Sequence, residues 1–170
     1  MGRAYLSLGS NLDAETNLRS ALRALRARFD AVRVSDLYRF PAVGFVGADF
    51  LNAAAVIDSD LDPFALNAWL HALEDAHGRD RSGPRFGDRP LDIDIVFYDD
   101  LVLEGPGHLQ LPRDELKYAF VLRPLAEIAP DYIEPRSGRA LSAIWAQSPE
   151  RDAECVRVMS AAQFEAAAAG

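Results

Sequence analysis

Leu91-Asp-Ile-Asp-Ile-Val-Phe-Tyr98 is the stretch on which the reading of the fold turns. It is rich in β-branched and aromatic residues, follows a Gly/Pro/Arg-rich segment and predicts a strand. Side chains alternate along a strand, so Asp92 and Asp94 are expected on one face and Leu91, Ile93, Ile95 and Phe97 on the other. Aspartate is disfavoured in strands, so two on one face call for a reason beyond solvation.

Upstream of this strand the boundaries of a helix are clear, with Asp62 as cap, Pro63 at the first position and Gly78 just past the end. Leu66, Trp69, Leu70, Leu73 and His77 form its apolar stripe. Earlier still, Ala4 to Leu8 alternates as a strand into the turn Gly9-Ser10-Asn11. A helix then carries Leu18, Leu22, Leu25 and Phe29, with Asp13 as its candidate cap and Arg19, Arg23 and Arg26 on a solvated side. Val32 to Tyr38 and Phe50 to Ile57 supply two further strands. The order is β-α-β-β-α-β, a ferredoxin-like α+β core: an antiparallel sheet with helices on one face. Short helices at Phe120 to Ile128 and Leu141 to Trp145 are expected to pack on the same core. Residues 1–160 read as a single domain, and the alanine-rich residues 161–170 as a tail that frays.

The chain has 170 residues, of which 49% are hydrophobic, enough for one domain with a real core. With 26 acidic and 18 basic residues its net charge is −8, which argues against general nucleic-acid or anionic-membrane binding. Lys117 is the only lysine, so anions are expected to be gripped by arginine, whose planar fork matches phosphate. One cysteine, Cys155, excludes an internal disulfide or a cysteine metal cage. No apolar run approaches membrane length and no signal architecture opens the chain, so the expected location is the cytoplasm.

Two carboxylates spaced roughly 7 Å apart along a strand can share a metal or a close metal pair, and oxygen ligands suit Mg²⁺. The same pattern would also arise on a plain wet face. Arg79, Arg81, Arg85 and Arg89 precede the aspartates, interleaved with Gly78, Gly83 and Gly87. Guanidiniums on a glycine-rich loop beside a metal site suit phosphoryl transfer. On the third strand, Phe50 and Asn52 share a face, and a ring beside an amide suits a flat heterocycle. A P-loop, HExxH, CxxC, GxSxG and a Rossmann fingerprint are all missing, and His71, His77 and His108 are too scattered for a metal site.

Several segments together resemble the 6-hydroxymethyl-7,8-dihydropterin pyrophosphokinase family. They are Ala4-Tyr-Leu-Ser-Leu-Gly-Ser-Asn-Leu12, Leu37-Tyr-Arg-Phe-Pro41, Asp49-Phe-Leu-Asn-Ala-Ala54 and Leu73 through Arg79. Arg89-Pro-Leu-Asp-Ile-Asp-Ile95 and Phe120-Val-Leu-Arg-Pro-Leu-Ala-Glu-Ile-Ala-Pro130 complete the set. The resemblance implies transfer of the β,γ-diphosphate of ATP to a pterin hydroxymethyl oxygen, with release of AMP and two Mg²⁺ ions. By position it makes Asp92 and Asp94 the metal ligands and, with Arg81 and Arg89, the catalytic set. It places the pterin among Gly9, Val43, Phe50, Asn52 and Phe120, and ATP near Glu74, Arg79, Arg81, Arg89, His108 and Arg113. The small-molecule substrates are the expected partners. The chain departs from the family pattern at Asp88, usually proline, Arg113, commonly histidine, and Tyr118, commonly arginine. Phe40 stands where a small polar residue is usual. Those departures leave two alternatives open: a paralogue acting on a related pterin, as in a methanopterin-like pathway, or a non-catalytic pterin- or nucleotide-binding module.

Overall fold

β1 (Gly2–Ser10) lies inside the sheet, and every other element is placed by its relation to it. The elements that follow are α1 (Ala14–Arg28), β2 (Asp30–Val34), β3 (Leu37–Phe40), β4 (Phe50–Ser59), α2 (Pro63–Ala76) and β5 (Asp92–Tyr98). Then come a hairpin of β6 (Leu103–Gly105) and β7 (Leu109–Leu111), a 3-10 turn at Asp114–Lys117, and α3 (Ala119–Ile128). The chain closes with α4 (Leu141–Ala146), β8 (Val156–Met159) and α5 (Ala161–Ala169). This is a computed structural model, and it describes residues 1–42, 47–78 and 88–169.

The sheet runs β5-β1-β4-β3-β8 with every pairing antiparallel, and β2 also pairs with β4. With β2 and β3 counted as one broken strand, this is the ferredoxin-like arrangement expected from the sequence. The single strand expected at 32–38 is broken at Ser35. Ser35 N–H donates to Ala54 O at 3.0 Å and its Oγ accepts from Ala54 N–H at 2.8 Å. The hydroxyl keeps β4 paired where the ladder is interrupted.

Each face of the sheet carries a core. Leu6, Leu8, Ala53, Ile57, Ile93 and Ile95 meet Leu18, Leu22 and Leu25 of α1 and Leu66 and Leu70 of α2, all buried. On the other face, Tyr5, Ala54, Val56 and Phe97 meet Val121, Leu122 and Leu125 of α3 and Leu141 of α4. The short helices therefore close a second core on the opposite face instead of joining the first. Phe97 is a related correction. The register shifts from Tyr5↔Phe97 to Leu6↔Ile95, so Val96 is an extra residue and the alternation reverses beyond it. Phe97 thus leaves the side of Ile93 and Ile95 and stacks on Tyr132, with centroids 4.5 Å apart.

Helix ends follow local chemistry at α2, where Asp62 Oδ1 accepts from Ala65 N–H at 2.8 Å. At α1, by contrast, Asp13 holds the cap position at φ 45° but its side chain makes no capping bond. The alanine-rich segment expected to fray forms α5 instead. Phe164 is fully buried in the α1/α2 core, Arg23 Nε donates to Ala168 O at 3.1 Å, and Arg26 pairs with Glu165 at 2.8 Å. One aromatic anchor supplies, by tertiary packing, the stability that a short terminal alanine run lacks as an isolated helix. Among the described residues, no helix is long and apolar enough to cross a membrane.

Candidate active site

The register of three neighbouring strands assembles the site. Gly9 on β1 faces Asn52 on β4 and, on its other side, Asp92 on β5. Ser7 is likewise flanked by Ala54 and Asp94. Directly paired residues project to the same face, so Asn52 and Asp92 stand in one row across two strand spacings, roughly 10 Å. Between them Gly9 has no side chain, so the face dips there into a groove, into which the Asn52 amide leans with Nδ2 2.7 Å from where a Cβ would lie. Phe50 starts β4 in the same alternation as Asn52 and is half-buried. Phe120, half-buried in the first turn of α3, packs on this same face.

The Asn52 side chain is buried, and its Oδ1 has no hydrogen-bond partner among the described residues. Its Nδ2 makes a long contact, 3.4 Å, to Leu8 O. A buried amide with an idle acceptor is costly unless a ligand completes it. The donor–acceptor pair of an amide suits the edge of a heterocycle.

At the Asp92 end of the row, Glu74 joins the two aspartates. Ligand oxygens of Glu74, Asp92 and Asp94 all lie within 4.8 Å of one another. Glu74 arrives from the last turn of α2, buried, and its Oε2 accepts from Ile93 N–H at 2.9 Å on the open edge of β5. An acidic side chain near a helix C-terminus opposes the helix dipole. That placement was the signal available in the sequence for a role beyond lying near a nucleotide. Burial, and next the charge of Asp92, push the Asp94 carboxyl well above the ordinary carboxylate range, against the pull of Arg113. Three crowded carboxylates with this electrostatic stress fit a hard divalent cation.

Arg113 is brought to the cluster, with Nη2 3.4 Å from Asp94 Oδ1 and Nε 3.3 Å from Glu115 Oε2. Arg89 is half-buried at the end of the arginine-rich segment, its backbone clamped by Asn11. Asn11 N–H donates to Arg89 O at 3.0 Å, and Asn11 Oδ1 accepts from Arg89 N–H at 2.7 Å. Asn11 Nδ2 also donates to Asp88 Oδ1 at 2.8 Å and to Ala48 O at 3.1 Å. The sequence assigns Asn11 no side-chain role, yet its amide joins Ala48 to Asp88 and Arg89. The carboxylate of Asp88, one of the departures, is held by this amide.

His108 stands at positive φ in the β6–β7 turn. Its neighbour Gly107 accepts from Asn67 Nδ2 at 3.1 Å. Asn67 is seven residues before Glu74, roughly 10 Å along α2. Tyr118 stacks on Phe120 with centroids 5.3 Å apart and planes 11° from parallel. Val43, Arg79, Arg81 and Arg85 lie outside the described residues.

Residues 5–130 match the family model described as 7,8-dihydro-6-hydroxymethylpterin-pyrophosphokinase. A 2-amino-4-hydroxy-6-hydroxymethyldihydropteridine pyrophosphokinase of Synechocystis sp. is 36% identical over 159 residues, covering 86% of this chain and 80% of the relative. One of the same name from Methylorubrum extorquens is 43% identical over 139 residues, covering 78% of this chain and 86% of the relative. Among solved structures, the Plasmodium falciparum HPPK-DHPS superposes with a TM-score of 0.70 at 13% identity. It aligns with 88% of this chain, which spans only 45% of that longer one, and at such identity the likeness shows the fold alone.

Proposed function

This chain belongs to the 7,8-dihydro-6-hydroxymethylpterin-pyrophosphokinase family, and on that premise we propose how its groove carries out the family's reaction. The reaction is ATP-dependent transfer of a diphosphate to the hydroxymethyl group of 6-hydroxymethyl-7,8-dihydropterin, a step of folate biosynthesis. The hydroxymethyl oxygen forms a bond to the β-phosphorus of ATP, the bond from that phosphorus to the α-phosphate oxygen breaks, and AMP leaves.

The observation that carries the assignment is the row Asn52–Gly9–Asp92. It sets a heterocycle-reading amide and a metal-binding carboxylate on one face, separated by a bare glycine. In this reading Asn52 supplies its idle Oδ1 and its Nδ2 to the pterin edge, while Phe50 and Phe120 stack on the ring, with Gly9 and Val43 completing the pocket. The hydroxymethyl arm then lies over Gly9 and points at the carboxylates.

Asp92, Asp94 and Glu74 would hold Mg²⁺, with two ions expected, which would supply charge neutralisation at the phosphates. Asp92 and Asp94 face the groove, whereas Glu74 reaches in from the sheet edge and ties the ligand set to β5. Arg81, Arg89 and Arg113 grip the triphosphate, and Arg79 steadies their loop. Asn11 fixes the backbone from which Arg89 projects. There is little covalent work for the protein, so the rate comes from alignment and charge neutralisation. This reading goes with a cytoplasmic setting, where ATP is at hand, and with small molecules as the binding partners.

A product balance tests the reaction. Chromatography of ATP, the dihydropterin and Mg²⁺ with enzyme is expected to give one AMP for each pterin diphosphate. Formation of ADP with a pterin monophosphate, or no pterin-dependent nucleotide product, contradicts the proposal.

A further inference from the structure

Arg113 carries the clearest unexplained feature of the site. Its backbone is fixed, with the N–H donating to Val96 O at 3.1 Å, so the side chain pivots from the rim of β5. Nη2 reaches Asp94 and Nε lies beside Glu115, but Nε is buried and forms no hydrogen bond among the described residues. The guanidinium is therefore held between two carboxylates by charge, without the bidentate geometry that makes such pairs strong. Unlike an imidazole, it cannot leave the cluster by losing its proton.

Resting on the metal assignment above, we propose that Arg113, through Asp94, is a resident counter-cation of the Glu74–Asp92–Asp94 cluster. A divalent cation must displace it from Asp94, and the displaced side chain then takes a phosphate oxygen. Two consequences follow from electrostatics alone. Without nucleotide, the arginine opposes metal entry, because a positive group within hydrogen-bond range of a ligand repels the ion. With a triphosphate present, the guanidinium gains a new anionic partner, so the same residue favours the metal–nucleotide complex. A resident cation that can move to phosphate thereby makes the site prefer metal that arrives with phosphate over metal alone.

The test uses the full chain and Mn²⁺, with free ion counted by electron paramagnetic resonance. In Arg113→Gln, Mn²⁺ alone is expected to bind on the order of tenfold more tightly than in the wild type. With a non-hydrolysable ATP analogue present, the same variant is expected to bind the complex on the order of tenfold more weakly. Arg113→Lys keeps the charge and is expected to stay near the wild type in both titrations, which separates charge from packing. Thermal unfolding in a chelator adds a second readout: Arg113→Gln should melt lower than the wild type and recover more on addition of Mn²⁺. Equal Mn²⁺ affinity in wild type and Arg113→Gln, or a change of the same sign in both titrations, overturns the inference and leaves the metal site standing. Absence of Mn²⁺ binding from every form overturns the metal site as well.

Discussion

Gly9 and Asn52 face each other across β1 and β4 so closely that a Cβ on Gly9 would lie 2.7 Å from Asn52 Nδ2. The glycine is needed for that approach. In Gly9→Ala the amide must turn away, so pterin affinity is expected to fall about tenfold to a hundredfold, the cost of a lost pair of buried hydrogen bonds. Nucleotide affinity should change little. Fluorescence titration with the dihydropterin checks this, and unchanged pterin affinity would remove Asn52 from the pocket.

Asn11 ties Ala48, Asp88 and Arg89 together. Asn11→Ala is expected to cost about 2–3 kcal/mol of stability, since the backbone N–H of Arg89 and the Asp88 carboxylate lose their partner. It should also raise KM for ATP more than KM for the pterin. Asp88→Ala removes a single bond and is expected to give a smaller effect of the same kind. Chemical denaturation and steady-state kinetics measure both.

Phe164 is fully buried. Phe164→Ala is expected to lower stability by about 3–4 kcal/mol through lost burial and a cavity beneath α5. A loss below about 1 kcal/mol in urea unfolding would mean that the terminal helix is not seated on the core.

Glu134 closes the turn before α4, its carboxylate accepting from Arg136 N–H at 2.9 Å and Ser137 N–H at 2.7 Å. Burial alone would raise its pKa, but the Ser137 and Arg136 hydrogen bonds outweigh it and hold the group below its ordinary 4.5. A carboxylate depressed in the folded state contributes stability above its unfolded pKa and loses it as pH falls through the folded value. The stability gap between wild type and Glu134→Gln should therefore be about 1 kcal/mol near neutral pH, reduced by solvent screening, and should close as pH drops below 4.5. Denaturation midpoints across that range check the sign.

Much of the fold was legible because its signals are local. Asp62, Pro63 and Gly78 mark the ends of α2, and the alternation at 91–95 marks the strand with its aspartates. What the sequence could not show depends on pairing across long separations. The bulge at Val96, which carries Phe97 to the other core, exists only in register with Tyr5 and Leu6. Glu74 becomes part of the carboxylate cluster only because α2 ends beside the open edge of β5. The helix at 161–169 is seated by Phe164 in a core whose other members lie far back in the chain. In the groove, the pattern placed Asn52 beside Phe50, but its unfilled acceptor became visible only in three dimensions.

The central claim is that one sheet face joins a pterin site to a metal site across Gly9. AMP formation from ATP, with 6-hydroxymethyl-7,8-dihydropterin and Mg²⁺, tests it most directly when wild type is set against Asp92→Asn. Pterin-dependent AMP is expected from the wild type, with a loss of at least about a thousandfold in Asp92→Asn, the scale of a lost metal-ion contribution of several kcal/mol. The variant should still fold and bind the pterin. Wild-type-like AMP release from Asp92→Asn would contradict the metal assignment, and pterin-independent AMP release from the wild type would contradict the coupling of the two sites.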